Sequence, residues 1–345
     1  MVDKGKRKSG AEAPLVTFAL FAYNQEQYVR EAIEAAFSQD YENLEIVLSD
    51  DCSEDNTFAI MEECAAGYSG PHRVILNKNE NNLCTLNHFF KVADLASGEL
   101  IVLSAADDIS VSERVSVTVG AWQETGVSAL FSDYSLIDEE GVVVNEKYSP
   151  GNHSRMIERV FGRACEYEIH GASSAYDVSF VRSLPRPDAR FLFEDSYMTF
   201  MLNLFCRPYH KIDDALVFYR QHASSLSNNL RPCDIENEKS RNLALLGPYK
   251  NRYEMSLFLY EFALKNPTSG FNKDEYVKQI GFFKCKSEWF EWDLYSRVKF
   301  LLSKDSYPEF NRWMIPRLFG LNFFVFLKVS KSWAVERLRS FFSGQ

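Results

Sequence analysis

Three apolar runs in the first third of the chain, Leu15 to Phe21, Leu44 to Leu48 and Leu100 to Leu103, each break off into polar residues. The breaks fall at Ala22-Tyr23-Asn24, at Asp50-Asp51 and just before Asp107-Asp108. Short apolar runs without alternation predict strands covered on both faces, and the stretches between them carry helical spacing. Gln25 to Ser38, for instance, sets Tyr28, Val29, Ala32, Ile33, Ala36 and Phe37 on one helical face. Such alternation predicts an α/β fold, an open, mostly parallel sheet flanked by helices. Ligands bind these sheets in the crevice beyond the carboxyl ends of the strands. Two carboxylate pairs delivered there predict one pocket for a metal ion and a hydrogen-bonding ligand.

Further along, a helix is expected from Ser53 to about Ala66, a short strand at Val74 to Leu76, an Asn-rich loop over Asn77 to Asn82 and a helix to about Leu95. After a helix over Val111 to Glu124 the order changes. Ser128 to Ile137 and Val142 to Val144 read as a hairpin closed by Glu139-Glu140-Gly141. Pro150-Gly151 and Pro185-Arg186-Pro187 punctuate a looser region. A helix then opens near Glu194-Asp195, and a strand over Ala215 to Tyr219 ends in Arg220-Gln221-His222. From Glu236 onward the periodicity is helical. The expected division is a polar N-terminal tail at 1–13, an α/β domain at 14–231 and a helical C-terminal domain at 232–345, with the boundary near Arg231-Pro232.

A formal net charge of -10 excludes a general nucleic-acid binder, whose affinity comes from neutralising phosphates. The 7 cysteines show no C-x-x-C spacing, which excludes a zinc framework and fits a reducing cytosol. Lys4, Lys6, Arg7 and Lys8 ahead of Leu15 imitate a signal peptide, but no small-residue cleavage site follows, and the apolar run reads as a strand. No apolar stretch reaches the roughly 20 residues that span a bilayer. The expectation is a cytoplasmic protein, soluble or peripheral at the inner face of the membrane. The tail from Arg297 carries nine basic against three acidic residues, interleaved with Trp313, Phe319, Phe323, Phe324 and Trp333. That mixture suits a membrane interface; packed core or a homo-oligomer contact is the ordinary alternative.

Taken in order, Tyr23-Asn24-x-Glu26-x-Tyr28-x-x-Glu31-Ala32-Ile33, Gln39-Asp40-Tyr41, Ser49-Asp50-Asp51-x-Ser53-x-Asp55-x-Thr57, Ala105-Ala106-Asp107-Asp108 and Glu194-Asp195 resemble the family 2 nucleotide-sugar glycosyltransferases. Each motif alone is weak, and the ordered set over about residues 13 to 228 is specific. The resemblance implies a GT-A fold and an inverting transfer of sugar from a nucleotide donor, most often UDP-linked, to a hydroxyl of a glycan or lipid-linked acceptor. Surface polysaccharide synthesis in bacteria is the setting it implies.

The same resemblance implies the site. Asp108 is the expected ligand of a divalent metal, Mn or Mg, with Asp107 reaching the ribose or the metal. Asp51 is expected to read the nucleobase edge, Tyr23 to lie on the base and Asn87 to sit near the nucleotide, although Leu86 replaces the arginine the family has beside it. Asp195 is the expected catalytic base, with Glu194 the weaker candidate. His222 is expected to complete the metal sphere and Arg220 to offset diphosphate charge in place of the missing arginine. His170 and Gly171 are candidates for the acceptor side. For the acids the ordinary alternatives are turns, N-caps and helix-dipole partners. Two rival functions are a metal-dependent nucleotidyltransferase, which would need a glycine-rich basic loop after the first strand, and an inactive scaffold of a glycan-synthesis complex, against which the intact Asp51, Asp108 and Asp195 argue.

Overall fold

A computed structural model describes residues 13–149, 155–162, 169–222, 246–268 and 270–288. The three apolar runs are the parallel strands β1 (Val16–Ala22), β2 (Leu44–Asp50) and β4 (Leu100–Ala105), with β3 (Arg73–Lys78) outside β2. All seven residues of β2 are buried, as expected of strands covered by helices on both faces. The helices between them are α1 (Val29–Phe37), α2 (Thr57–Gly67) and α3 (Cys84–Leu95). In α1 the buried positions Val29, Ala32, Ile33 and Ala36 repeat at helical spacing and pack with Phe18, Leu20, Ile46, Leu48 and Met61 in one core.

Beyond β4 come the two-residue β5 (Ile109–Ser110), α4 (Arg114–Thr125) and the hairpin β6 (Ala129–Ile137) and β7 (Val143–Tyr148). Helix α4 stops at Gly126, whose left-handed φ of 63° lets its N–H reach the Trp122 carbonyl at 2.8 Å. The segment expected to be loose holds α5 (Arg155–Phe161), a 3-10 turn at Gly171–Ser173, β8 (Ser174–Asp177) and α6 (Val178–Ser183). Helix α7 (Glu194–Leu204) and β9 (Tyr209–Arg220) complete this part.

The sheet runs β3-β2-β1-β4-β8-β6-β9-β5, with β7 on β6. It is parallel from β3 to β4 and mixed beyond, because β8 enters antiparallel to both β4 and β6 while β9 runs parallel to β6. Strand order reverses at β1, which lies between β2 and β4 in register: Ala22 faces Asp50 and Phe21 faces both Ser49 and Ala105. That reversal opens the crevice. The end of β9 is brought to the same edge by β5, whose Ile109 and Ser110 pair with Phe218 and Val217.

The chain divides into two compact units, Met1–Leu226 with Phe262–Asn272, and Ser227–Glu261 with Lys273–Gln345. The described part of the second is helical, drawn from α8 (Leu246–Lys265) and α9 (Lys273–Glu288). Within it Tyr276, Ile280 and Phe283 are buried, and Tyr260 stacks on Tyr276 at 6.2 Å. The expected boundary at Arg231-Pro232, the Pro150-Gly151 breaker and the basic aromatic tail from Arg297 lie outside the described residues. No described helix is long and apolar enough to cross a membrane.

Candidate functional site

The two loops after β1 and β2 are laced together by the polar residues that distinguish the sequence. Asn24 N–H donates to Ser53 Oγ at 2.8 Å, Gln25 N–H to Thr57 Oγ1 at 2.7 Å and Glu26 N–H to Asp55 Oδ2 at 3.1 Å. In return Glu54 N–H donates to Asn24 Oδ1 at 2.9 Å and Asn56 Nδ2 to Glu26 Oε2 at 2.7 Å. Burial would raise the Asp55 pKa, but the hydroxyl and amide of Thr57 and the amide of Glu26 hold it below the usual range. This lacing also explains why α1 starts at Val29 and α2 at Thr57, each later than its periodicity suggests. The residues in between are committed to the loop-to-loop bonds. Gln39 is likewise structural: its side chain donates to the Val111 carbonyl at 2.8 Å and accepts the Val115 amide at 3.1 Å.

The lacing separates the two acids at the end of β2. Asp50 turns inward and accepts the Ser53 amide at 3.0 Å and its hydroxyl. Asp51, only 3% exposed, accepts Asn79 Nδ2 and the Leu83 amide, both at 2.8 Å and both on Oδ1. Tyr23, at the end of neighbouring β1, is 45% exposed. Of the four non-glycine residues with positive φ among the described residues, three follow these groups directly: Asn24 after Tyr23, Cys52 after Asp51 and Cys84 after Leu83. Concentrated backbone strain of this kind is a mark of functional loops.

Beyond β4, Asp108 is 1% exposed. Its Oδ1 accepts the Arg220 amide at 2.9 Å, and its buried Oδ2 has no hydrogen-bond partner among the described residues. Burial first, then the charge of Asp107, pushes its pKa well above the carboxylate range, against the Arg220 amide and the charges of Arg114 and Arg220. Asp107 Oδ2 meets His222 Nε2 at 2.9 Å, and the His222 ring lies 4.8 Å from that of Tyr28. Oxygen donors beside an imidazole, one carboxylate oxygen left bare, form a donor set that fits Mn or Mg. Among the described residues no group of three or more His, Cys, Asp or Glu side chains forms a ready cage for an ion, so phosphate oxygens of a ligand would have to complete one.

Arg220, expected to offset diphosphate charge, is engaged by protein groups. Its guanidinium is 2% exposed and donates from Nε to the Asp107 carbonyl at 2.9 Å, from Nη1 to the Glu139 carbonyl at 3.0 Å and from Nη2 to Glu31 Oε2 at 2.5 Å. It also lies 4.8 Å from the Tyr28 ring centroid. A guanidinium with this many fixed acceptors ties α1, the acidic loop and the hairpin turn together. Sequence reasoning could not find this, because Glu31 and Glu139 are far from Arg220 in the chain. It also passed over Arg114, fully buried, which donates to Ser110 Oγ at 2.9 Å and the carbonyls of Leu103 and Ala172 at 2.6 and 3.0 Å. Burial lowers its pKa to about 10, with Asp108 opposing.

Asn87, in α3, donates to the Ala189 carbonyl at 3.3 Å, while Leu86 is buried in the core. Asp195 and Glu194 open α7. Asp195 Oδ1 accepts the Ser196 amide at 2.5 Å. Glu194 packs against Gly171 so closely that a Cβ there would sit 2.2 Å from its Oε1, so a side chain at that position would push the carboxyl aside. Burial, then repulsion from Asp195, pushes the Glu194 pKa up to about 8 despite its backbone N–H bonds. His170, beside Gly171, stacks on Tyr134 at 4.4 Å and meets Tyr219 edge-on at 5.0 Å. Burial and the Arg114 charge lower its pKa to about 4.

Residues 17–176 match the family described as Glycosyl transferase family 2. Among curated relatives, EpsE of Bacillus subtilis is 37% identical over 103 residues, which is 30% of this chain and 36% of EpsE. An uncharacterized glycosyltransferase of Rickettsia felis is 31% identical over 41% of this chain and 23% of its own length. The chain therefore spans well under half of these two relatives. The Escherichia coli UDP-Glc:alpha-D-GlcNAc-diphosphoundecaprenol beta-1,3-glucosyltransferase WfaP is 25% identical over 62% of this chain and 80% of WfaP. Among solved structures, S. aureus TarS 1-349 in complex with UDP-GlcNAc superposes with a TM-score of 0.54 at 15% identity, covering 92% of both chains. The mannosyltransferase PcManGT of Pyrobaculum calidifontis, in complex with GDP-Man and Mn2+, gives 0.52 at 13%, covering 93% of this chain and 87% of PcManGT. The fold is thus that of nucleotide-sugar glycosyltransferases, the GT-A arrangement.

Proposed function

We propose that this chain, whose residues 17–176 match the family described as Glycosyl transferase family 2, is an inverting glycosyltransferase moving a sugar from a UDP-linked donor to a hydroxyl of a glycan or lipid-linked acceptor. The observation that carries this reading is the convergence of Tyr23, Asp51, Asp107 and Asp108 on the carboxyl edge of three adjacent strands. The catalytic unit is the 14–231 domain, with 232–345 as a helical C-terminal domain.

In this reading the exposed face of Tyr23 takes the base by stacking and Asp51 accepts a ring N–H from its edge. Asp108 and Asp107, with His222, would hold a divalent Mn or Mg, which when bound stabilises the charge growing on the departing diphosphate. Arg220 holds these groups in place from behind rather than contacting the diphosphate. Asp195 accepts the proton of the acceptor hydroxyl as its oxygen bonds to the anomeric carbon and the bond to the diphosphate breaks on the opposite face, which inverts the centre. Beside it, burial pushes the Glu194 carboxyl up to about 8, so Glu194 is the poorer proton acceptor at neutral pH. Diphospho-lipid acceptors are favoured by the likeness to WfaP, and the basic aromatic tail from Arg297 supplies the contact with the membrane that carries them. Purified protein with manganese should be stabilised in thermal unfolding by UDP-sugars more than by other nucleotide sugars, since ligand that binds the fold alone raises its stability by mass action. No stabilisation by any nucleotide sugar would overturn the proposal.

A further inference from the structure

The way Asp51 is held in the structure decides which bases it can read. A carboxylate has about four acceptor positions, two on each oxygen. Asp51 spends both positions of Oδ1 on protein: Asn79 Nδ2 and the Leu83 amide each donate to it at 2.8 Å. Oδ2 has no protein hydrogen bond among the described residues, in a side chain only 3% exposed. One oxygen is therefore left for a ligand, held in place by a chain of hydrogen-bonded amides. Asn77 Nδ2 bridges Asn79 Oδ1 at 3.0 Å and Ser49 Oγ at 2.9 Å, and Ser49 in turn bonds His88 Nε2 at 2.6 Å. Asn79 is fixed at its own backbone as well, its N–H donating to the Asp50 carbonyl at 2.9 Å.

We propose that Asn79 is a specificity-determining residue: by saturating Asp51 Oδ1 together with the Leu83 amide, it restricts the site to bases whose ring N–H stands alone between acceptors, with no second donor beside it. Uracil and thymine offer this at N3. Guanine presents two parallel donors, N1–H and the exocyclic amine, which match a carboxylate with both oxygens open. Cytosine has a lone pair at N3 and is repelled by Oδ2. The inference rests on the glycosyltransferase reading above, and deepens it by deriving the base class from the hydrogen-bond count at one carboxylate.

The test measures dissociation constants of UDP, dTDP, GDP and CDP, each with manganese, for the wild-type chain and for Asn79→Leu and Asn79→Ser. The wild type is expected to prefer UDP and dTDP over GDP and CDP by tenfold or more, roughly the value of a charge-assisted bond. Both substitutions free a position on Oδ1, so the ratio of GDP to UDP dissociation constants should fall at least roughly fivefold, while CDP stays excluded. That ratio is taken within one preparation, so it does not depend on how much of a variant is folded. GDP binding as tightly as UDP in the wild type, or an unchanged ratio in both variants, would overturn the role of Asn79 and leave the glycosyltransferase reading standing. Failure of all four nucleotides to bind would overturn that reading itself, and the inference with it.

Discussion

Replacing Glu194 by Gln should stabilise the protein, and by an amount that grows with pH. The carboxyl lies against Gly171 and beside Asp195, and its pKa is pushed from 4.5 to about 8. A carboxyl with a higher pKa in the folded than in the unfolded state makes the fold bind the extra proton, so stability falls as pH rises from about 4.5 to about 8. At about 1.36 kcal/mol per pH unit, the penalty at pH 7 is bounded at about 3 kcal/mol. Solvent still reaches part of this side chain, which reduces the expected gain to about 1–2 kcal/mol. Glutamine keeps the shape and cannot ionise, so Glu194→Gln should escape the penalty. Urea unfolding at pH 5 and at pH 7.5 would measure it: the variant should match the wild type at pH 5 and exceed it at pH 7.5. A variant that is equally displaced at both pH values, or less stable at the higher one, would mean that Glu194 is ionised in the fold, and the argument against Glu194 as the base would lose its support.

Asp195→Asn should leave UDP binding intact while transfer falls by about 10²–10⁴-fold, the scale of a lost general base; equal loss of binding and turnover would make Asp195 a residue of the binding site instead. Burial lowers the pKa of His88 and of His170 to about 4, so the unfolded chain takes up protons first as pH falls from about 6.5 to about 4, and stability should drop through that window. Removing both imidazoles, as His88→Gln with His170→Gln, should flatten that acid limb in a urea series. The full-length chain should co-sediment with anionic liposomes at low salt and release at high salt, and truncation after Pro308 should abolish the binding. Indifference to such liposomes at low salt would return the tail to a packing or oligomer role.

The strands that build the site were legible because burial on both faces leaves an uninterrupted apolar signature, as in Leu44 to Leu48. The 3-10 turn and β8 were not, since Ser-Ala-Tyr-Asp over Ser174–Asp177 has neither length nor alternation, and its place between β4 and β6 is dictated by pairing with strands that far precede it. Helix starts came out late because Gln25 to Tyr28 and Ser53 to Asn56 spend their polar groups on the loop lacing, a long-range demand that overrides local periodicity. The site residues divide in the same way. That acids stand at the ends of β2 and β4 follows from the pattern of the chain. Which groups hold Asp51 and Asp108, and that Arg220 is engaged by Glu31 and three carbonyls, depend on partners dozens of residues away.

The central claim is that the carboxyl edge of β1, β2 and β4 binds a nucleoside diphosphate with a divalent ion held at Asp108. Calorimetric titration of UDP into the wild-type chain and into Asp108→Asn, with and without manganese, tests it most directly. Manganese should tighten UDP binding to the wild type, and the substitution, which keeps the side-chain shape but replaces a carboxylate oxygen by an amide nitrogen that cannot ligate the ion, should abolish that gain, weakening binding in manganese roughly tenfold or more. An Asp108→Asn chain that binds UDP as tightly as the wild type and responds equally to manganese would contradict the account.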